Sequence, residues 1–387
     1  MAIPLKYNRR SLLVRRVSNA MTGSGIALVV AVFVIVMAMV AGLSRAIRQS
    51  GSGDNLIVLS RGSTTETGSS LKLDQFDALK FLTGIRRDAG GNPLASPEMS
   101  EQILMPSPSG SLDNLAIRGI LPSGVAVHDQ VHIVSGRMPT PGLSEVIMGK
   151  GLVGRYPGCN LGSSLRFGRR SWSVVGIFEA DGSSFESEVW GDVHSIQEDA
   201  NRGPVFNSVR LKLAPSADTA ALIQRIADDP RINLQAETET DYYREQSAVA
   251  NQVRVLGMLV AGIMTFGAIF AAMNTMYAAV SARTTEIGTL RALGFRPAAI
   301  LTSFLFESLV LALAAGLVGV VLALPINLVS TSFNAGITAP TLDFSFRVTM
   351  AVVVQALLFA GLIGIVGGWL PARRAMKMSV AAALRRT

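Results

Sequence analysis

Charge is missing from four long stretches of this chain, and that absence limits the folds open to it more than any other feature. Between Arg16 and Arg45 lie 28 residues without a charged side chain, including IALVVAVFVIVMAMVAGL. Another 28 separate Arg254 from Arg283, and 25 separate Arg347 from Arg373. Glu307 is the sole charge between Arg296 and Asp343. A helix needs about 20 apolar residues to cross the hydrocarbon core of a bilayer. Four spans fit, near 23–43, 253–280, 299–326 and 348–370. Only 16% of the 387 residues are charged and the mean hydropathy is +0.40, where a water-soluble domain carries roughly a quarter charged residues. The chain reads as an integral membrane protein. A basic start before an apolar run also describes a signal peptide. The first run is too long for a cleaved segment, and no small-x-small site follows it, so it is expected to be retained.

The basic residues beside these runs set the expected orientation. Lys6, Arg9, Arg10, Arg15 and Arg16 precede the first span, and Arg373, Arg374, Lys377, Arg385 and Arg386 follow the fourth. Between the second and third stand Arg283, Arg291 and Arg296 against Glu286, whereas 44–248 holds 20 basic and 24 acidic residues. Both termini and the short segment after span two are therefore expected in the cytoplasm, with 44–248 outside. The boundaries that result are a basic N-terminus over 1–22, spans over 23–43, 249–281, 298–328 and 348–370, and an external domain over 44–248. A charged helix over 282–297, a short external loop over 329–347 and a basic tail over 371–387 complete them. The pI of about 10.0 then reports topology. Membrane lipid is the expected contact, and no nucleic-acid partner is implied.

The fold class expected is membrane α-helical, with four transmembrane helices and an external α+β domain inserted between the first and second spans. In that domain, alternation and β-branched content mark strands at 55–60, 114–120, 131–134, 145–148, 163–167, 172–178 and 207–213. Helical spacing marks 74–85 and 217–229. Segments 61–70, 88–98 and 105–111 are rich in Gly, Ser and Pro and read as loops. From Asn233 to Leu256 there is neither glycine nor proline, so AETETDYYREQSAVANQVRVL is expected to run as one helix into the second span. LSRAIRQ (43–49) is likewise expected to extend the first outward. Two rigid helical stalks would follow, and such stalks transmit displacement where a Gly/Ser linker absorbs it. Cys159 is the only cysteine, so no intrachain disulfide or cysteine metal cluster is possible.

Catalytic motifs are scarce. GKGLVG (149–154) has the G-x-G-x-x-G spacing, but strands rather than a βαβ unit follow it, so it reads as a turn. His128 and His132 have metal-ligand spacing only on a helix, and VHIV reads as a strand, so both are expected to be solvated. His194 stands alone. Metal sites and catalytic residues are expected to be absent. Intramembrane polar groups are better leads. Glu307, early in the third span, could snorkel to or cap the interface, or serve gating. Asn274 is expected to form a hydrogen bond between helices. Gly316 with Gly319, and Gly364 with Gly368, would let helices approach closely, within the bundle or against a second copy.

Between spans two and three stands RTTEIGTLRALGFRPAAI (283–300). On a helix, Ile287, Leu290 and Leu293 share a stripe with Gly294, and Glu286 falls in that stripe. A helix lying only on headgroups has no use for a carboxylate there, which favours a protein partner. The simpler reading is a re-entry loop whose arginines anchor it to anionic lipid.

Extended through 324, this segment resembles the second-to-third-span region of the MacB/FtsX-like permeases of ABC transporters. Their pattern is R-x-x-E-I-G-x-L-R-A-x-G, followed by a span with an early glutamate and spaced glycines. Arg283, Glu286, Ile287, Gly288, Leu290, Arg291, Ala292 and Gly294 match, as does Glu307. VSGRMPTPGLSEVIMGKGL and LGSSLRFGRRSWSVVGIFEADGSSF resemble the family's external domain. PARRAMKMSVAAALRR resembles its C-terminal motif, with Val380 or Ala381 where proline is usual. The resemblance implies a non-catalytic, mechanotransmitting permease of the bacterial inner membrane that acts as a homodimer. Its ATPase-coupling helix would use Arg283, Glu286, Ile287, Gly288, Leu290, Arg291, Leu293 and Gly294, with Glu307 and Asn274 functional in the membrane. ATP and Mg would be bound by a separate cytoplasmic ABC ATPase, as in the split-subunit branch, and this chain would hold no cofactor. The work implied is export through a periplasmic adaptor and outer-membrane channel. Lipoprotein release, or FtsX-like signalling to an external cell-wall hydrolase, uses the same machine.

Overall fold

The computed structural model describes residues 16–106, 112–333 and 342–378. The basic residues Lys6, Arg9, Arg10, Arg15, Arg385 and Arg386, the Val380/Ala381 position and most of the expected loop 105–111 lie outside the described residues. The chain begins with helix α1 (Arg16–Arg48) and continues through β1 (Asn55–Ser60), β2 (Leu71–Lys72), α2 (Leu73–Leu79), β3 (Ala95–Pro106) and β4 (Leu112–Ile120). Next come β5 (His132–Gly136), β6 (Glu145–Gly149), β7 (Ser164–Phe167), β8 (Arg170–Glu179), β9 (Glu188–Asp192) and α3 (Val193–Asp199). β10 (Val205–Phe206), β11 (Ser208–Lys212), α4 (Thr219–Asp228), β12 (Leu234–Thr238) and α5 (Glu239–Gln246) complete the inserted domain. The remainder is α6 (Ala248–Ala282), α7 (Thr284–Ala292), α8 (Pro297–Ala323), β13 (Ser330–Phe333), β14 (Leu342–Ser345) and α9 (Met350–Met376).

Two compact units result. Among the described residues, the helical unit contains four helices long and apolar enough to cross a membrane, with the α/β domain inserted between the first and second. Small residues form its seams, because without a hydrophobic drive in lipid helices associate by close packing. An added Cβ at Gly316 would lie 2.7 Å from Ala360 Cβ, at Gly364 2.6 Å from Ala312 Cβ, and at Gly368 2.7 Å from Ser308 Cβ. Ser308 Oγ donates to Gly364 O (2.6 Å), joining α8 to α9. Gly319 packs on α1 at Ala27 O (2.5 Å from an added Cβ). Phe33 stacks on Phe359 at 4.7 Å. These glycines are thus used inside the protomer.

Among the described residues of the inserted domain, ten strands form one sheet in the order β12-β1-β11-β3-β4-β9-β6-β8-β5, with β7 on β8. The pairs β4–β9 and β6–β8 are parallel and the other pairs on this path antiparallel. β3 bridges two regions, since Ala95–Glu98 pair with β11 and Met99–Pro106 with β4. One face carries the apolar core of Leu56, Val58, Met99, Ile117, Val146, Met148, Trp172 and Val209. Cys159 is buried there, and burial pushes its thiol up to about 11.

All seven expected strands form, and the helix expected over 217–229 appears as α4. Other elements differ for identifiable reasons. The helix expected over 74–85 stops at Leu79, and Ile85 instead bridges Leu213. Residues 95–98, expected in a loop, begin β3 because β11 offers them an edge. The helix expected over 236–256 forms only from Glu239, in a run to Ala282 that the single residue Ser247 divides into α5 and α6. Leu234–Thr238 add a strand to β1, Thr238 Oγ1 then accepts from Asp241 N (3.1 Å) to start α5, and the helix is interrupted at Ser247. Residues 329–347 hold the paired strands β13 and β14.

Candidate functional site

The segment between spans two and three has a start, a stop and two faces. α7 follows Arg283 and ends at Leu293, and Gly294 adopts φ +90°, a left-handed conformation that only glycine takes without strain. Phe295 N donates to Leu290 O (3.1 Å) and Gly294 N to Arg291 O (3.1 Å), the paired bonds that close a Schellman motif. Arg296 and Pro297 then open α8, with proline at its first turn. The string RALGFRP is therefore a helix stop followed by a helix start, and the role of Gly294 is to make the turn.

The expected stripe is split between the two faces. Ile287 is 2% exposed and packs with Met276, Val280, Ile300, Phe304, Ala372 and Ala375. Gly288 and Thr284 are buried beside it and Leu290 and Arg291 are half-buried. Glu286, Thr289, Ala292 and Leu293 face outward, Leu293 at 69% exposure. Arg283 is buried as well: its Nη1 donates to Glu307 Oε2 at 2.9 Å and its Nη2 to Oε1 at 3.4 Å. Its guanidinium also lies 6.0 Å from the centre of the Phe304 ring. Two residues chosen separately from the sequence, one at the head of α7 and one inside α8, are thus a single ion pair. Arg283, Ile287 and Gly288 hold the helix in place; Glu286 and Leu293 are the residues a partner could touch. Asn274, expected to bond between helices, lies on the exposed side of α6. Thr22 and Thr275 supply a hydroxyl pair joining α1 to α6.

A second constellation, in the inserted domain, escaped the sequence reading. On β3 the alternation places Ser96, Glu98 and Ser100 on the face opposite the apolar core, beside Ser208 and Arg210 of β11 and Arg118 of β4. That face is covered. Arg118 donates to Glu66 (3.0 Å), Glu98 (2.9 Å) and Glu188 (2.7 Å), and Arg210 to Glu66 (3.0 Å), Glu98 and Glu239 (2.7 Å). Both arginines flank the Phe185 ring, at 5.3 and 5.8 Å. Trp190 Nε1 donates to Glu188 (2.7 Å). His128, expected to be solvated, is fully buried, with Nε2 2.7 Å from Glu98 Oε1 and its ring edge-on to Phe185. It follows the 3-10 turn Pro122–Ala126 rather than lying in a strand, so the sheet covers it. His132 and His194 are exposed. Burial alone would raise the Glu98 carboxyl, yet Arg210, His128 and Arg118 hold it down at about 2. Arg118 and Arg210 likewise outweigh burial at Glu66 and hold it far below the usual range.

GKGLVG does not build a nucleotide loop. β6 ends at Gly149, a 3-10 turn follows, and an added Cβ at Gly149 would lie 2.2 Å from Glu186 O. Close backbone approach explains that glycine. Among the described residues no cluster of His, Cys, Asp and Glu has the arrangement of a metal site.

Residues 20–229 match the MacB-like periplasmic core domain, and residues 258–380 match the FtsX-like permease C-terminal domain. The chain is 29% identical over 412 aligned positions to the macrolide export ATP-binding/permease protein MacB of Nitrobacter winogradskyi, covering 97% of this chain and 59% of that protein. It is 26% identical over 230 positions to the MacB of Neisseria gonorrhoeae strain FA 1090, covering 57% of this chain and 34% of that one. The chain therefore spans between about a third and three fifths of these relatives' length. The periplasmic region of MacB from Actinobacillus actinomycetemcomitans aligns with 52% of this chain and 94% of that structure, at 15% identity and a TM-score of 0.39. Two matched domains, one of them covering more than half of the sequence, join to four membrane helices with the matching insertion: the chain belongs to the MacB/FtsX-like family of ABC transporter permeases.

Proposed function

We propose that this chain is the transmembrane subunit through which a cytoplasmic ABC ATPase, carrying ATP and Mg, drives motion of the domain outside the membrane. The observation that carries this reading is the two-faced build of α7. Its inner side is fixed by the Arg283–Glu307 pair and Ile287, while Glu286, Thr289 and Leu293 stand outward. A large exposed leucine beside a carboxylate suits a protein groove with a donor better than a lipid surface. In this reading both termini and α7 lie in the cytoplasm of a bacterium with the chain in its inner membrane, two copies pair as a homodimer, and the ATPase is a separate chain. The relatives' description as macrolide export proteins supports export, through a periplasmic adaptor and an outer-membrane channel, as the work done. Small residues and Asn274 on the exposed side of α6 suit contact with the second copy.

The test is substitution of the outward face alone. Glu286→Arg and Leu293→Asp are expected to leave the amount of membrane-inserted protein unchanged while reducing ATPase co-purification by about tenfold, the loss of roughly 1.4 kcal/mol of binding. Normal ATPase recovery with both variants would place the docking surface elsewhere.

A further inference from the structure

The buried ionic cluster gathers Arg118, Arg210, Glu66, Glu98, Glu188, Glu239 and His128 in the inserted domain, and folding alone does not demand it. Apolar residues of similar volume commonly replace buried ion pairs without loss of stability. Its placement along the chain is informative. Glu239 is the first residue of α5, which leads into α6, and its carboxylate is shared by three donors. Oε1 accepts from Arg210 Nε (2.7 Å), while Oε2 accepts from Ser52 N (3.0 Å) and Asn55 Nδ2 (3.1 Å). Ser52 and Asn55 belong to the segment by which the chain leaves α1. One turn into α5, the Tyr243 hydroxyl accepts from Arg210 Nη2 (2.9 Å). The two segments also touch directly: a Cβ added to Gly51 would meet Glu239 O at 2.7 Å and Tyr243 Cδ2 at 3.0 Å. Ser50 extends the joint, its Oγ donating to Ala46 O (3.1 Å) in α1 and accepting from Ser184 N (3.0 Å).

We propose that the cluster is a clamp that joins the segment leaving α1 and the segment leading into α6 to the sheet as one mechanical piece. Displacement of either helix is then passed to the domain instead of being lost at its base. Arg210 and Arg118 carry the connection from Glu239 across β11, β3, β4 and β9. Glu239 is the member on which both segments depend, because removing its charge leaves Arg210, Ser52 N and Asn55 Nδ2 without their shared acceptor. That the clamp transmits motion rests on the permease reading; that it holds the two segments together does not.

Hydrogen–deuterium exchange on the full chain in lipid nanodiscs tests the clamp without any ATPase. Glu239→Gln removes the charge but keeps the shape, and Gly51→Ala wedges the segments apart without touching a charge. Both are expected to speed exchange of amides in 50–55 and 240–246 by about tenfold or more, leaving β6 and β8 unchanged. Glu188→Gln, at the far end of the cluster, is expected to leave 50–55 and 240–246 protected. Uniform acceleration over every strand in the first two variants would make the cluster a general stabiliser and overturn the clamp, as would unchanged exchange in both. The transmission half is read with the ATPase bound: ATP is expected to alter protection in the sheet of the parent and not of Glu239→Gln. A variant that keeps the ATP response overturns transmission, whereas a parent without any response overturns the permease reading and leaves the clamp to stand on the first experiment.

Discussion

Glu307→Ala is expected to be the most damaging single change in the membrane helices. It leaves the Arg283 guanidinium buried against Phe304 and the apolar cluster around Ile287 without its bidentate carboxylate. Removing one member of a buried pair costs on the order of 3–5 kcal/mol, because the charge left behind keeps its burial penalty and loses its counter-charge. A lower dielectric in the membrane only sharpens that cost. The head of α7 is expected to detach from α8, so that the Met276–Ala375 cluster loosens and the thermal midpoint of the detergent-solubilised chain falls by several degrees. The exchanged pair, Arg283→Glu with Glu307→Arg, is expected to recover much of the midpoint. A double variant no better than Glu307→Ala would show that each residue acts through other neighbours and not through the pair.

Arg210→Met is expected to have the second-largest effect, and in the inserted domain. It leaves Glu66, Glu98 and Glu188 to Arg118 alone and takes from Glu239 the arginine it pairs with. The expected destabilisation is again about 3–5 kcal/mol, a large part of the roughly 5–15 kcal/mol by which a domain is stable. Urea unfolding of the full chain, followed by the buried Trp172 and Trp190, measures it. Acid supplies an independent check. Glu98 is held at about 2 against an ordinary 4.5, and Glu66 is held lower still. A carboxylate depressed in the folded state contributes stability that is complete above its unfolded value and is lost as pH falls toward the folded one. The parent should therefore weaken progressively below about pH 4.5, and Arg210→Met, having already lost that contribution, should show a flatter acid limb. An equally steep limb would mean that other carboxylates control acid unfolding.

The sequence disclosed these features unevenly, for physical reasons. Spans are legible because a charge-free run of 25 residues or more has few alternatives to a membrane helix. The strand of NSVRLKL shows itself by alternation, but alternation cannot tell what covers its polar side. Ser208, Arg210 and Lys212 look like a solvent-facing row, and only the tertiary fold lays α5, the 122–128 turn and Phe185 over them. Their partners Glu66, Glu98, Glu188 and Glu239 are scattered over more than 170 residues, a separation that periodicity cannot bridge. β12 was missed because AETET contains neither glycine nor proline and reads as helix; the free edge of β1 overrides that propensity. At α7 the stripe of Ile287, Leu290 and Leu293 was visible, but spacing cannot tell which part of it the chain's own α8 and α9 cover. Gly294 could have been separated from the stripe by its neighbours, since glycine followed two residues later by Arg-Pro is a stop-and-start signal.

The most direct test of the account is photocrosslinking along α7. A photoreactive side chain is placed singly at Leu293, Thr289 or Ile287 of the full chain in its native membrane, and the adduct is identified by mass spectrometry. The account predicts capture of a chain bearing a G-x-x-x-x-G-K-[ST] nucleotide loop from positions 293 and 289, which face outward, and not from 287, which packs inside the protein. Capture from Ile287 but not Leu293, or no ATPase adduct at any of the three, would contradict it.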